Sequence, residues 1–449
     1  MSPPPRTPTF AEALRFWLYL GFVSFGGPAG QIAIMHRELV ERGRWISERR
    51  FLHALNYCMV LPGPEAQQLA TYIGWLLHGV RGGIAAGGLF VLPSLVILVA
   101  LSWIYMRYGS VPAIASVLYA VKPAVVAIVL AAAWRIGKRA LPHPLLWLIA
   151  AAAFAALFFF EAPFPLVIAG AAVVGAIGGR LAPGAFRSAG HAAKAGAHEA
   201  AVIDDDTPTP PHAHHSNRRL AITIAIFLTL WAVVLALLAA RFGVEGDFTQ
   251  MGWFFTKSAL ITFGGAYAVL PYVLQGAVEQ HLWLSAAQMI DGLALGETTP
   301  GPLIMVVAFV GFLGGWLKQL LGPEALFAAG ALGATVATFF TFLPSFLFIL
   351  AGGPLVERTR DEPHFNAPLT AITAAVVGVI VNLALFFAWR VLWPHATRAS
   401  PFGGGFDPVS AAIAMVATLL LVVKRLGVIP VVLASGAAGL ALWAVGVRG

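Results

Sequence analysis

The feature of this 449-residue chain that most constrains its fold is an internal repeat. Ser24-Phe25-Gly26-Gly27 recurs as Thr262-Phe263-Gly264-Gly265, and Leu61-Pro62-Gly63-Pro64 recurs as Thr299-Pro300-Gly301-Pro302, both at an offset of 238 positions. Glycine and proline landmarks that keep register over separate blocks indicate a duplication, because chance similarity between two apolar sequences would not preserve them. The chain therefore has to fold as two related halves.

Composition places both halves in a membrane. Hydrophobic residues make up 59% of the chain and charged residues 11%, whereas a soluble domain carries about 25% charged residues. Runs of about 20 apolar residues predict an all-α polytopic integral membrane protein of about thirteen spans, arranged as six, one bridging helix and six. The predicted spans are Phe10–Phe25, Phe51–Leu77, Ile84–Tyr105, Pro112–Trp134, Pro144–Phe160, Phe164–Ile177, Leu220–Ala240, Thr249–Leu270, Met289–Leu317, Ala325–Leu350, Leu369–Arg390, Pro408–Val423 and Val428–Val445.

The spans group into four regions. Residues 1–180 form the first repeat, 181–219 a linker, 220–245 the bridging transmembrane helix and 246–449 the second repeat. The linker is rich in Ala, Gly, Pro and His and cannot span a bilayer, so we interpret it as solvated. Its histidines have no spacing typical of a metal site, and we predict no metal there; they are His191, His198, His212, His214 and His215.

The two repeats are predicted to be inverted. Seven spans separate the loop 36–50 from its equivalent 275–287, and an odd number places the two loops on opposite faces. The first loop carries five arginines and the second carries no Lys or Arg, which is the asymmetry that inverted repeats leave. With the first loop in the cytoplasm, the span count would put Arg135, Lys138 and Arg139 on the other face.

Each half contains two places where a helix must break. Paired glycines permit unusual backbone conformations, and Pro-Gly-Pro removes two backbone donors and stops a helix. A half-helix that restarts there presents free N–H groups to the gap, which favours an anion. Broken or re-entrant helices near the bilayer midplane are where inverted-repeat transporters bind substrate. The candidate substrate-binding residues are Ser24, Gly26, Gly27, Arg37, Pro62, Gly63, Pro64, Gln67, Lys257, Thr262, Gly264, Gly265, Thr298, Thr299, Pro300, Gly301 and Pro302.

Charged residues complete the predicted site. Arg37 or Lys257 would supply positive charge, and the intramembrane carboxyl of Glu65 or Glu297 would couple a proton. Hydroxyl groups of Ser24 and the threonines would donate to the anion. A membrane enzyme is disfavoured because the spans lack HExxH, GxSxG or a His/Asp cluster, and an ATP-driven pump because the chain lacks a GxxxxGK[ST] loop. A passive anion channel stays open as an alternative.

At these motifs the sequence resembles the chromate ion transporter family in its long, two-domain form. The resemblance includes the Arg44-Trp45-Ile46 loop and covers nearly the whole chain apart from the termini and the linker. It implies export of chromate across the cell inner membrane, chromate resistance, and sulfate as an exchanged or competing anion. From the inverted repeat we expect a mechanism of alternating access. From the residues we expect no enzymatic activity and no cofactor, and the lipid bilayer, not nucleic acid, as the partner. Sulfate or another oxyanion as the main substrate, and a monomer or a homodimer, stay open.

Overall fold

A computed structural model of the chain describes residues 5–25, 27–186, 200–208, 210–214, 216–263, 265–358, 366–396 and 400–446. Most of these residues are helical, with a single isolated β-bridge and no strand among them. This confirms the all-α prediction. The helices are α1 (Phe10–Val23), α2 (Gly27–His36), α3 (Glu48–Val60), α4 (Glu65–Tyr108), α5 (Pro112–Ala140), α6 (Pro144–Phe160), α7 (Phe164–Leu181), α8 (Asn217–Phe242), α9 (Asp247–Leu260), α10 (Ala266–Leu274), α11 (Ala286–Thr298), α12 (Val306–Leu317), α13 (Leu326–Arg358), α14 (Asn366–Leu392), α15 (Pro408–Val422) and α16 (Val428–Ala444).

Three of the predicted spans are pairs of helices. Thr249–Leu270 divides into α9 and α10 at the second glycine-pair motif. Phe51–Leu77 divides into α3 and the first part of α4 at the first Pro-Gly-Pro, and Met289–Leu317 divides into α11 and α12 at the second. Helix α4 also reverses direction at His78 and Gly79, whose backbone angles are not helical. Six described helices are long and apolar enough to cross a membrane: α4, α5, α7, α8, α13 and α14. Four shorter apolar helices accompany them: α6, α12 with its preceding turn, α15 and α16.

The short helices of the first half run inward from one end of the molecule and return to it. The turn of α4 meets the start of α1, where His78 Nε2 lies 3.0 Å from Pro8 O. The end of α2 meets the start of α3, where His36 pairs with Glu48 at 2.5 Å. Helices α1 and α2 therefore form one hairpin, and α3 and the segment 65–77 form a second. We call this end the arginine end, because it carries the loop 37–50.

The second half repeats this arrangement at the opposite end. Asp247, at the start of α9, accepts hydrogen bonds from Trp283 Nε1 at 2.7 Å and from Lys318 Nζ at 3.2 Å. Trp283 precedes α11 and Lys318 follows α12, so the hairpins α9–α10 and α11–α12 both start and finish here. We call it the Asp247 end. The equivalent loops lie at opposite ends, as the inverted repeat predicts, although the hairpins do not support thirteen crossings.

The hairpins also correct the predicted side of one basic cluster. Arg135, Lys138 and Arg139 are near the end of α5, which packs with the end of α7 and the start of α14 in one apolar cluster. Helix α14 follows α13, whose last turn is at the arginine end. The cluster is therefore on the same side as the arginine loop. The sequence count placed it opposite because it treated a returning hairpin as a crossing.

A buried ion pair joins the halves at the arginine end. Arg50 Nη2 of α3 donates to Glu357 Oε2 of α13 at 2.5 Å, and both residues are buried. The Tyr72 hydroxyl donates to the other oxygen of Glu357. Arg50 Nη1 also donates to Asp204 O of the linker at 3.3 Å. This cluster fixes the start of α3 to the end of α13.

The described part of the linker packs against this end. Ile203 forms a β-bridge with Ile46 and is 5% exposed, and His212 Nε2 lies 2.8 Å from Trp75 O. A fully solvated linker, which composition predicts, is therefore wrong for this stretch. A few apolar residues in this polar linker, such as Ile203, are enough to pack it against the helices. His191, His198 and His215 lie outside the described residues.

Removing the arginine of the buried pair is expected to destabilise the protein strongly. Arg50→Met leaves the carboxylate of Glu357 buried without its guanidinium partner, a change that typically costs about 3–5 kcal/mol. The exposed pair of Arg42 with Glu38 supplies the control, because exposed pairs contribute about 0–1 kcal/mol. Thermal unfolding in detergent should separate Arg50→Met from Arg42→Met. Equal melting temperatures for the two variants would contradict the assignment.

Candidate functional site

The two halves are joined in the interior by a reciprocal pair of hydrogen bonds. The N–H of Gly63 donates to Thr262 O at 2.7 Å, and the N–H of Gly301 donates to Ser24 O at 2.8 Å. Gly63 and Gly301 are equivalent by the offset of 238, and so are Ser24 and Thr262. Each Pro-Gly-Pro break thus binds the glycine-pair break of the other half. We call the meeting point of these four breaks the central crossing.

Glycine is required at both Pro-Gly-Pro breaks. Gly63 has φ +123° and Gly301 has φ +104°, and both are values that a residue with a side chain rarely adopts. A Cβ on Gly301 would come 2.7 Å from Ser94 Cβ, and a Cβ on Gly63 would overlap Ser345 Oγ. The two serines are themselves equivalent, through the repeat of Leu-Pro-Ser at an offset of 251. The predicted site does not include these two serines, although the repeat of Leu-Pro-Ser already indicated that they are equivalent.

Four helices begin around one small pocket at the central crossing. They are α2, α4, α10 and α12 with the turn that precedes it. The first N–H groups of a helix have no acceptor within that helix, so these four helix starts direct backbone donors toward this point. Pro28 has no N–H, and the N–H groups of Ala268 and Met305 donate to Gly265 O and Pro302 O. The pocket is about 10 Å³, which is space for roughly one water molecule. Its lining is Pro28, Gln31, Pro64, Glu65, Ala66, Gly265, Ala266, Pro302 and Leu303.

The hydroxyl groups at the breaks differ in their availability. The Thr262 hydroxyl donates to Ser258 O at 2.6 Å, and the hydroxyls of Thr298 and Thr299 likewise donate to carbonyls of their own helix. These three hydroxyls are therefore already used as donors, contrary to the role that the sequence predicts. The Ser24 and Ser94 hydroxyls are buried and have no hydrogen-bond partner among the residues that the structure describes.

Three buried glutamines surround the crossing. Gln31 lines the pocket, and its amide nitrogen donates to Gly301 O. Gln68 Nε2 donates to Pro62 O at 2.8 Å, and Gln67 Nε2 donates to Thr71 Oγ1 at 3.0 Å. The side-chain oxygen of each glutamine has no partner. Of the three, the predicted site contained only Gln67.

The two candidate carboxyl groups occupy different places. Glu65 lines the pocket, and its Oε1 is 3.9 Å from the position that a Cβ on Gly265 would take, at the start of α10. Glu297 is buried at the end of α11 and accepts the hydrogen bond of the Tyr267 hydroxyl. Glu65 is therefore the carboxyl that an ion in the pocket would meet.

The two candidate cations do not lie at the crossing. Arg37 is exposed in the arginine loop and pairs with Glu38 at 3.0 Å. Lys257 is on the exposed face of α9, with Nζ 5.9 Å from the ring centre of Trp253. Hydropathy marked Lys257 as unusual in a span, but it could not show which way the helix faces.

Most of the other predicted residues lie at or beside the breaks. Pro64 and Pro302 line the pocket, and Pro62 and Pro300 precede the two central glycines. Gly27 and Gly265 adopt positive φ, +70° and +97°, at the starts of α2 and α10. Gly26 and Gly264 lie outside the described residues.

A membrane ion pair that the predicted site left out lies beside α11. Lys122 Nζ is 3.4 Å from Asp291 Oδ2, which also accepts the Tyr105 hydroxyl at 2.9 Å. The lysine and tyrosine belong to the first half and the aspartate to the second. This cluster therefore links the halves away from the pocket.

This fold and site define an integral membrane protein of two inverted halves whose broken helices meet at the centre. The chain belongs to the chromate transporter family, whose model matches residues 11–176 and 249–440. It is similar to the chromate transport protein of Pseudomonas aeruginosa, with 32% identity over 97% of this chain and 93% of the relative. It is also similar to the chromate transport protein of Cupriavidus metallidurans, with 30% identity over 86% and 84%. An uncharacterized transporter of Methanocaldococcus jannaschii is 26% identical over 96% and 94%. No solved structure matches the chain.

Proposed function

We propose that the protein exports chromate across the inner membrane by alternating access, and that it thereby confers chromate resistance. The observation that carries the proposal is the convergence of four helix N-termini on one interior pocket. The N-terminus of a helix is equivalent to about +0.5 elementary charge, so four of them approach about +2. A tetrahedral dianion such as chromate would match that charge without a basic side chain. Two similar relatives carry chromate in their names.

The symmetry of the crossing supports the proposal of alternating access. The central contacts are the two equivalent hydrogen bonds from Gly63 and Gly301, one from each half. Tilting one pair of hairpins against the other would open the pocket to one end while the equivalent contact stays closed. Inverted repeats commonly exchange conformations in this way. The pocket of about 10 Å³ is smaller than an oxyanion, so this conformation corresponds to a closed state.

We propose that Glu65 couples a proton to the anion. A charged carboxylate in the pocket would oppose a dianion, because unit charges 4 Å apart interact by about 4 kcal/mol at an effective dielectric constant of 20. A proton on Glu65 removes this repulsion. Proton and chromate would then move together, carrying one net negative charge outward. Glu297 lies off the pocket and has Tyr267 as a partner, so we assign the role to Glu65.

The distribution of basic residues supports a cytoplasmic arginine end. The arginine loop and many basic residues at helix ends lie on that side, and fewer lie on the other, which follows the positive-inside rule. On the arginine end are Arg81, Arg135, Lys138, Arg139, Arg180, Arg218, Arg219, Lys424 and Arg425. On the Asp247 end are Arg107, Arg241, Lys318 and Arg390.

Transport into inverted vesicles tests the function directly. The vesicles should accumulate chromate only when they contain the protein, and sulfate should compete because it is also a tetrahedral dianion. A pH gradient should change the rate of uptake. Absence of chromate uptake would contradict the proposal. Downhill flux with no response to a pH gradient would instead favour the passive channel, and saturation by sulfate alone would favour a sulfate transporter.

Neutralising the two candidate cations is expected to leave transport nearly unchanged. Arg37→Ala and Lys257→Ala remove exposed charges away from the pocket, and exposed changes of this kind usually alter stability by no more than about 0.5 kcal/mol. Chromate uptake should therefore remain within about twofold of the unmodified protein, since 1.36 kcal/mol corresponds to about tenfold in rate. A tenfold loss of chromate uptake in either variant would show that the substituted residue takes part in transport.

A further inference from the structure

A large apolar cleft lies beside the bridging helix α8. The cleft has a volume of about 650 Å³ and separates α8 from the second part of α4 and from α13. Ile222, Ile226 and Leu230 of α8 line it and are each more than 40% exposed. Leu238 is the only residue of α8 that is buried, and the most apolar stretch of the helix contains no buried residue. Because the cleft lies along a membrane helix, hydrocarbon and not water is the solvent that it suits.

One end of the cleft is polar and positively charged. His212, Ser216 and Arg219 line this end, where α8 begins. One N–H group of Arg219 donates to Pro211 O at 3.0 Å, which leaves the other guanidinium donors for a ligand. The dipole of α8, whose N-terminus lies at this end, adds to the positive potential. An anionic group would be stabilised here and not along the rest of the cleft.

We propose that the cleft binds one phospholipid with an anionic headgroup. The phosphate would lie against Arg219 and the start of α8, and an acyl chain would follow the apolar lining. Arg219 and Leu230 are eleven positions apart on α8, which is a rise of about 17 Å at 1.5 Å per residue. Half of a hydrocarbon core of about 30 Å is about 15 Å, so the lined stretch matches a single leaflet. The charge therefore stands at the depth of a headgroup and the apolar lining at the depth of a chain.

The bound acyl chain would contact a side chain that also packs against a helix pair of the central crossing. Phe346 lines the cleft. Its ring also lies next to Gly87 and the Gln67 amide, because a Cβ added to Gly87 would contact both groups. An acyl chain would therefore hold the Phe346 ring against the helix pair 65–77 and 80–108. The lipid would be a structural ligand of the hairpin whose first residues line the pocket.

Gly88 offers a way to fill the cleft without disturbing the helices. It lines the cleft, and a Cβ at this position has no atom within 4 Å. Gly88→Phe should therefore occupy the acyl-chain path. Gly170 of α7 is the matched control, because its Cβ would also meet nothing within 4 Å and it does not line the cleft. Similar melting temperatures for the two variants would show that both are folded.

The test counts lipids that remain bound. The purified protein is reconstituted with equal parts of phosphatidylglycerol and phosphatidylcholine, extracted again in mild detergent, and measured by native mass spectrometry. The unmodified protein and Gly170→Phe should retain phosphatidylglycerol preferentially, whereas Gly88→Phe should lose most bound lipid. Arg219→Gln should lower the preference by about fivefold, as expected for one basic residue at about 1 kcal/mol.

Two results would overturn the proposal. One is an absence of preference for phosphatidylglycerol in the unmodified protein. The other is unchanged lipid retention in Gly88→Phe, which would show that the bound lipid lies elsewhere. The measurement requires no transport, so its outcome is independent of whether chromate is the substrate.

Discussion

Replacing Gly301 with alanine is expected to lower chromate transport by about tenfold or more. The residue has φ +104°, and a side chain in so sparsely populated a region costs of order 1–3 kcal/mol. Its Cβ would also come 2.7 Å from Ser94 Cβ, which pushes the first half away from the second. Both effects weaken the hydrogen bond from Gly301 to Ser24 O. Gly63→Ala should have an equivalent effect, because its contacts are the symmetry-related ones.

Two further variants separate this explanation from general loss of folding. Gly322 also has positive φ, +89°, but a Cβ there has no atom within 4 Å. Gly322→Ala should therefore retain transport, although its backbone strain is similar. Adding Ser94→Gly to Gly301→Ala removes the contacting Cβ and should restore part of the activity. Equal losses at Gly322 and Gly301, or no coupling in the double variant, would contradict a specific role for the crossing.

Much of the fold could be predicted because glycine and proline act locally. The Pro-Gly-Pro pair fixed where α3 and α11 end, and the offset of 238 between Gly63 and Gly301 correctly indicated two equivalent breaks. The direction of the chain after each break could not be predicted. A span of normal length and two short helices that turn back have the same hydropathy, and contacts between distant residues, such as His78 with Pro8 and Trp283 with Asp247, reveal the return.

The candidate site was predicted in part for a similar reason. Breaks are visible in a sequence, and Pro64 and Gly265, two of the predicted site residues, line the pocket at the breaks. The direction of a side chain is not visible, and Lys257 lies on the outer face of α9. Hydroxyl groups present the same difficulty, since Thr262 donates to its own helix while the Ser24 hydroxyl has no partner. Packing decides these outcomes, and it depends on residues distant in sequence.

Glu65→Gln is expected to separate chromate movement from proton movement. Glutamine keeps the shape of the side chain in the pocket and removes its charge, so the dianion no longer needs a proton to enter. Uptake into vesicles should continue, but it should not respond to a pH gradient. The charge carried outward per chromate should rise from one to two, which the reversal potential of the flux measures. In the unmodified protein, both the pH response and the single charge should be present.

Glu297→Gln provides the matched comparison for this prediction. Glu297 is buried near the same crossing, but it accepts the Tyr267 hydroxyl and does not line the pocket. Its neutralisation should preserve both the pH response and the single net charge per chromate. If Glu297→Gln loses the pH response while Glu65→Gln keeps it, Glu297 is the residue that carries the coupled proton. If the unmodified protein and both variants all carry two charges per chromate, the helix N-termini bind the anion without proton coupling, because their field of about +2 then balances the dianion alone.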